Sequence, residues 1–124
     1  MSIHNQTLAA DISAALENSS VASAVKAYFA GFSGRVDSTA ATNTYYLQIL
    51  NASSLPADGA VTFVVHPEKV VHTNGTDSLV DIDLTGNHGM RYAGTGLVWC
   101  LSSTEFTKTI IAGAMVSGTL FYKV

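Results

Sequence analysis

A chain of 124 residues and 13.0 kDa supports one compact domain, or a small domain with an extra arm. Hydrophobic residues make up 48% of it and charged residues only 12%, which excludes disorder along the whole chain. Gly, Ala, Ser and Thr fill 52 of the 124 positions, so the apolar content is mostly small and the polar content mostly hydroxyl.

The net charge is −3, and the four Lys and two Arg are scattered from Lys26 to Lys123. With no basic stripe to neutralise phosphates, nucleic acid is not an expected partner. The charge-free stretches Ser38 to Ala57 and Thr109 to Tyr122 are too polar or too short for a membrane span, so no membrane partner is expected. The start, Met1-Ser-Ile-His-Asn-Gln, lacks a basic region followed by an apolar core, so no secretory signal is expected.

The first third reads as helix. Leu8, Ile12 and Leu16 recur every four residues, and Val21, Val25, Tyr28 and Phe29 continue on a shifted stripe. Alanine, the best helix former, fills much of the rest. Asn18-Ser-Ser20 would break the helix and cap a second one, and Gly31 would stop it. This predicts an N-terminal helical arm over 1–34 and a second unit over 35–124. Ser33 to Asn43, rich in Gly, Ser, Thr and Ala, reads as a linker or crossing segment.

From Tyr45 the period becomes two. Leu47 and Ile49 alternate with Tyr46 and Gln48. Val61, Phe63 and Val65 form a second row, and Val80, Ile82 and Leu84 alternate with Asp81 and Asp83. Leu97, Trp99 and Leu101 follow, and Val116, Leu120, Tyr122 and Val124 close the chain. Turn residues separate the rows at Pro56-Ala-Asp-Gly59, His66-Pro67, Asn74-Gly75, Gly86-Asn-His-Gly89 and Gly94-Thr-Gly96. About seven short strands with turns between them predict a mainly β chain. The expected fold is an antiparallel β-sandwich or jelly-roll-like domain behind the helical arm.

Chemistry is sparse. His4, His66, His72 and His88 lack the close spacing of zinc ligands. Asp77, Asp81 and Asp83 lack a calcium loop with its glycine, and read as a solvated strand face that blunts edge pairing. Gly31-Phe-Ser-Gly34 resembles a nucleophile elbow without its second flanking residue. Glu17, Glu68 and Glu105 sit in unrelated contexts. Cys100, the one cysteine, lies in the apolar run Leu97 to Leu101 and reads as a buried thiol. Tyr45, Tyr46, Trp99 and Tyr122 read as core and interface packing, with a sugar site as the alternative. Asn5, Asn18, Asn51 and Asn74 head Asn-x-Ser/Thr tripeptides, which in so Ser- and Thr-rich a chain read as products of composition. Neither catalysis nor a metal or other cofactor is expected.

Tyr46 to Gly59 with its Pro-Ala-Asp-Gly turn, Asn74 to Asp83, Gly89 to Thr104, and the closing Gly118-Thr-Leu-Phe-Tyr-Lys123 form one pattern. It resembles small β-sandwich proteins encoded among the structural genes of tailed bacteriophages. Tyr92-Ala-Gly-Thr-Gly96 departs from that pattern, which more usually has phenylalanine before Thr-Gly. The resemblance implies a virion component assembled in the host cytoplasm, and it carries no catalytic residue set. The low charge and the arm fit a capsid decoration or cement subunit. Its partners would be itself, as a trimer or other cyclic homo-oligomer, and the major capsid protein or other virion proteins. The expected interface is the stripe Ile3, Leu8, Ile12, Leu16, Val21, Val25, Tyr28 and Phe29, because a lone helix of this kind is marginal in water. The alternative is a tail, fibre or baseplate module that binds host carbohydrate.

Overall fold

A computed structural model describes residues 9–84, 89–113 and 115–124. The described residues contain nine strands and no helix. They are β1 (Ala9–Glu17), β2 (Ser19–Ser23), β3 (Ala27–Val36), β4 (Asn43–Asn51), β5 (Glu68–His72), β6 (Ser78–Asp83), β7 (Arg91–Ala93), β8 (Leu97–Ser102) and β9 (Val116–Lys123). They form two antiparallel sheets. Sheet A runs β1-β9-β3-β6, with β7 pairing the other end of β3, and sheet B runs β2-β8-β4-β5.

The pairing is nested. β4 pairs with β5, β3 with β6, β2 with β8 and β1 with β9. Both sheets feed one core. Phe29, Phe32, Val36, Val80, Val116 and Leu120 enter it from sheet A, and Tyr45, Leu47, Ile49, Leu97, Trp99 and Leu101 from sheet B. The arrangement is that of a β-sandwich.

The helical arm is therefore corrected. Residues 9–36 are three strands, two in sheet A and one in sheet B, and the division between 34 and 35 falls inside β3. A spacing of four satisfies a strand as well as a helix, because four is a multiple of the strand period. Alanine's helix preference is a weak prior, and it yields here to long-range pairing with β8 and β9. Leu8, like Ile3, lies outside the described residues. The expected strand at 61–65 is also corrected. It is a loop holding the edge of β4 by one bridge, Leu50 to Phe63, flanked by Asn51 N–H to Thr62 O and Val64 N–H to Ile49 O.

Two glycines set the spacing of sheet A. Gly34 and Gly118 stand opposite each other on β3 and β9, beneath the ring of Phe32. A Cβ at Gly118 would lie 2.7 Å from Phe32 Cζ, and one at Gly34 would lie 2.5 Å from Ser117 O. The ring takes the volume of two missing side chains and meets Trp99 edge-on, with centroids 5.6 Å apart. Trp99 Nε1 in turn donates to Asp11 Oδ2 at 3.4 Å, and Ser20 Oγ donates to the same oxygen at 3.1 Å. Thus β1 is tied across the core to β2 and β8. Gly118→Ala is expected to push Phe32 off Trp99 and to destabilise the fold by about 1–3 kcal/mol. The neighbouring Thr119→Ala should cost under about 0.5 kcal/mol. Urea titration followed by Trp99 fluorescence checks both.

Candidate interaction surface

The two outer sheet faces differ. On sheet B, the outward residues Leu50, Val98 and Cys100 are covered by Ala52, Val61, Phe63 and Ile110 from two loops. Gly59 and Lys108 join those loops by reciprocal backbone hydrogen bonds of 2.9 and 2.8 Å. The nearly buried Lys108 places Nζ 2.7 Å from Asp58 Oδ1. Beneath them the buried Gln48 Nε2 donates to the carbonyls of Thr104, Glu105 and Thr107, at 3.0, 3.1 and 2.9 Å. Ser102 and Thr104 hydroxyls also donate to Thr107 O, at 3.1 and 2.8 Å. The Gln48 and Ser102 bonds draw loop carbonyls toward the sheet, so the loop can lie on it without stranding polar backbone.

Sheet A has no such cover among the described residues. Its outer face presents Ile12, Thr119, Ser33 and Asp81 in one row, and Ser117, Arg35 and Leu79 in the next. Ile12 is 71% exposed and Leu79 is 85% exposed. Between them the floor is backbone and small side chains, including Gly34 and Gly118. A hollow of about 300 Å³ opens beside it over Gly31, bordered by Phe121, Asp81 and Asp83. At the far end Tyr28 and Tyr92 stand side by side, both exposed, with ring centroids 5.2 Å apart. Lys26 and Val124 flank that pair.

The expected interface stripe is dispersed. Phe29 is wholly buried in the core, which removes it from any interface. Ile12 and Tyr28 lie on the outer face of sheet A, whereas Val21 sits on β2 opposite Val98, on the other sheet. Leu16 is exposed within the irregular stretch of β1 between Ser13 and Glu17, and Val25 is exposed between β2 and β3. Leu79 was outside the expected stripe; its signal was an isolated leucine on the polar side of an alternating strand.

The histidines do not converge. His66 is exposed, packs on Phe106 and places Nε2 3.8 Å from Glu105 Oε2. His72 is buried, with Nδ1 2.7 Å from Ser78 Oγ. His4 and His88 lie outside the described residues. No three metal-ligating side chains come together among the described residues. Burial pushes the Cys100 thiol up to about 12, with Lys108 opposing and Asp58 adding to the shift, so the thiolate a nucleophile needs does not form. Ser33 of Gly31-Phe-Ser-Gly34 stands mid-strand on β3 rather than at a turn. Trp99 and Tyr45 are fully buried. Asn51 and Asn74 have structural work beyond composition. Asn51 Oδ1 accepts from Thr95 N–H at 2.9 Å, and Asn74 Nδ2 donates to Ser38, Thr39 and Ala40 carbonyls at 3.3, 3.4 and 3.1 Å.

The hydrogen bond from Lys108 holds the Asp58 carboxyl below the usual carboxylate range, and Thr39 does the same for Asp37. A depressed folded pKa contributes stability that is full above the unfolded value, about 3.9, and is lost as pH falls through the folded value. Acid unfolding is therefore expected to begin below about pH 4. Asp58→Asn should flatten the dependence of urea midpoint on pH in that window while leaving its slope above pH 6 unchanged.

No family model, no curated protein and no solved structure matches this chain.

Proposed function

We propose that this chain is a structural subunit of a tailed-phage virion, acting as a capsid decoration or cement protein that stabilises the shell through contacts with its own copies and with the major capsid protein. The open outer face of sheet A carries the reading. It exposes Ile12 and Leu79 over a floor of glycine, serine and threonine, whereas the chain's own loops cover the centre of the matching face of sheet B around Leu50, Val98 and Cys100 and leave Val21 and Val71 exposed on its outer strands. A broad, weakly charged, shallow surface suits another protein better than a small substrate.

The nested strand pairing supports the same reading, because β1-β9-β3-β6 facing β2-β8-β4-β5, with β7 added on β3, follows jelly-roll connectivity. Virus capsid proteins use that architecture, and so do lectins and cupins, so connectivity alone does not assign the function. The resemblance over residues 45–124 points to the virion among these. Many weak contacts on a repeating lattice then add up through multivalency.

The exposed tyrosine pair favours one second reading, a virion module that binds carbohydrate. Tyr28 and Tyr92 present two apolar ring faces with hydroxyl tips, which is the chemistry that stacks on a sugar.

One experiment separates the two. Purified protein is mixed with undecorated phage shells and, in parallel, with a panel of immobilised glycans. Decoration predicts co-sedimentation with shells that Leu79→Asp abolishes and Tyr92→Ala leaves intact. Glycan capture that Tyr92→Ala abolishes, with no shell binding, replaces it with the second reading.

A further inference from the structure

The outer face of sheet A carries opposite charges on two neighbouring strands. Ser33 stands opposite Asp81, and Arg35 opposite Leu79, across the β3–β6 pair. All four side chains point outward, so they mark the corners of a patch with sides of about 5 and 7 Å. The two charges sit on one diagonal. Arg35 is half exposed, with Asp37 and Asp77 as neighbours at 3.4 and 3.6 Å. Asp81 is exposed at the opposite corner.

We propose that this patch pairs with the same patch of a second copy about a two-fold axis lying along the Ser33–Leu79 diagonal. A rotation about that line exchanges the other two corners. Arg35 of each copy then faces Asp81 of its partner copy, twice over, and Leu79 meets Leu79 on the axis. In a two-fold contact each residue must meet its complement reciprocally, and opposite charges on one diagonal satisfy this with two ion pairs. Like charges there would forbid it. The strands of the two copies cross steeply, as in the orthogonal class of sheet packing.

Shape agrees with charge. By the strand register, the same rotation carries Ile12 of each copy from the β1 side of the face toward the hollow over Gly31 in the other. Gly31 lies at the floor of that hollow, and Phe121 supplies an apolar wall. The two most exposed apolar groups on this face, Ile12 and Leu79, would thus both be covered. The inference rests on the reading of the chain as an assembly subunit and names the partner that covers this face as an identical copy.

Sedimentation of the purified full chain from about 1 μM to about 1 mM tests the pairing, since that range spans weak to moderate self-affinity. A monomer–dimer equilibrium is expected. Asp81→Arg, which sets like charges against each other across the axis, and Leu79→Ser should each weaken it about tenfold or more. Val71→Ser, which removes an equally bare residue from sheet B, should leave it unchanged. Far-ultraviolet circular dichroism confirms that each variant is folded. A monomeric wild type over the whole range overturns the pairing, and so does a Val71→Ser effect as large as that of Leu79→Ser. Shell binding by a monomeric wild type would overturn the pairing alone. Pairing without shell binding would overturn the virion reading alone.

Discussion

The structure depends on β8 having water on neither face. All six residues from Leu97 to Ser102 are buried. Leu97, Trp99 and Leu101 require the core shared with sheet A, while Val98 and Cys100 require a second cover on the opposite side. That second cover cannot be another sheet, because the remaining strands are already in sheet A. It must be loop, and loop carries unpaired backbone. The Gln48, Ser102 and Thr104 side chains resolve this by satisfying the carbonyls of 104, 105 and 107 from beneath. The Lys108–Asp58 pair and the Gly59–Lys108 bridge then fasten one loop to the other.

The asymmetry between the two sheets follows. Among the described residues, β8 draws the two long loops onto sheet B. Among the described residues sheet A has no such cover, and the outward side of its central strands carries Gly31, Ser33, Ser117 and Thr119 alongside Tyr28, Arg35 and Phe121, where an exposed sheet would ordinarily carry alternating charge. The exposed groups that do rise from this face are few and separated. Ile12 stands at the β1 side, Arg35, Leu79 and Asp81 cluster at the β6 side, and the tyrosine pair stands at the far end of an otherwise shallow surface.

The strands around Leu47, Ile82, Trp99 and Leu120 were legible because alternation is specific when one face is buried, whereas β5 and β7, short and without an alternating apolar row, were not among those expected. Leu47 and Ile49, Val80 and Ile82, and Leu97 to Leu101 all fall in strands. The first third was not legible, because Ile12 and Leu16 are compatible with both periods and only their distant partners on β9 decide between them. Residues 61–65 alternate equally well and still form a loop, because β5 already holds the partner position along most of β4. Buried Cys100 could be read from its apolar flanks. The Gln48 anchor could not, since its three acceptors lie more than fifty residues away.

The low charge also has an explanation in the fold. Asp11, Asp37, Asp58, Asp77, Arg35 and Lys108 are engaged in internal bonds that hold loops or tie sheets together. Part of an already small charge complement therefore holds loops and sheets together, although Arg35, Asp58 and Asp77 remain about half exposed while doing so. A free monomer would answer that shortage with more lysine and glutamate, at little cost to an exposed strand face. The described outer face of sheet A instead presents serine and threonine hydroxyls, the apolar Ile12 and Leu79, and few charges, Arg35, Asp81 and Asp83 among them. The composition and the bare sheet thus state one constraint twice, once as a count of residues and once as a surface.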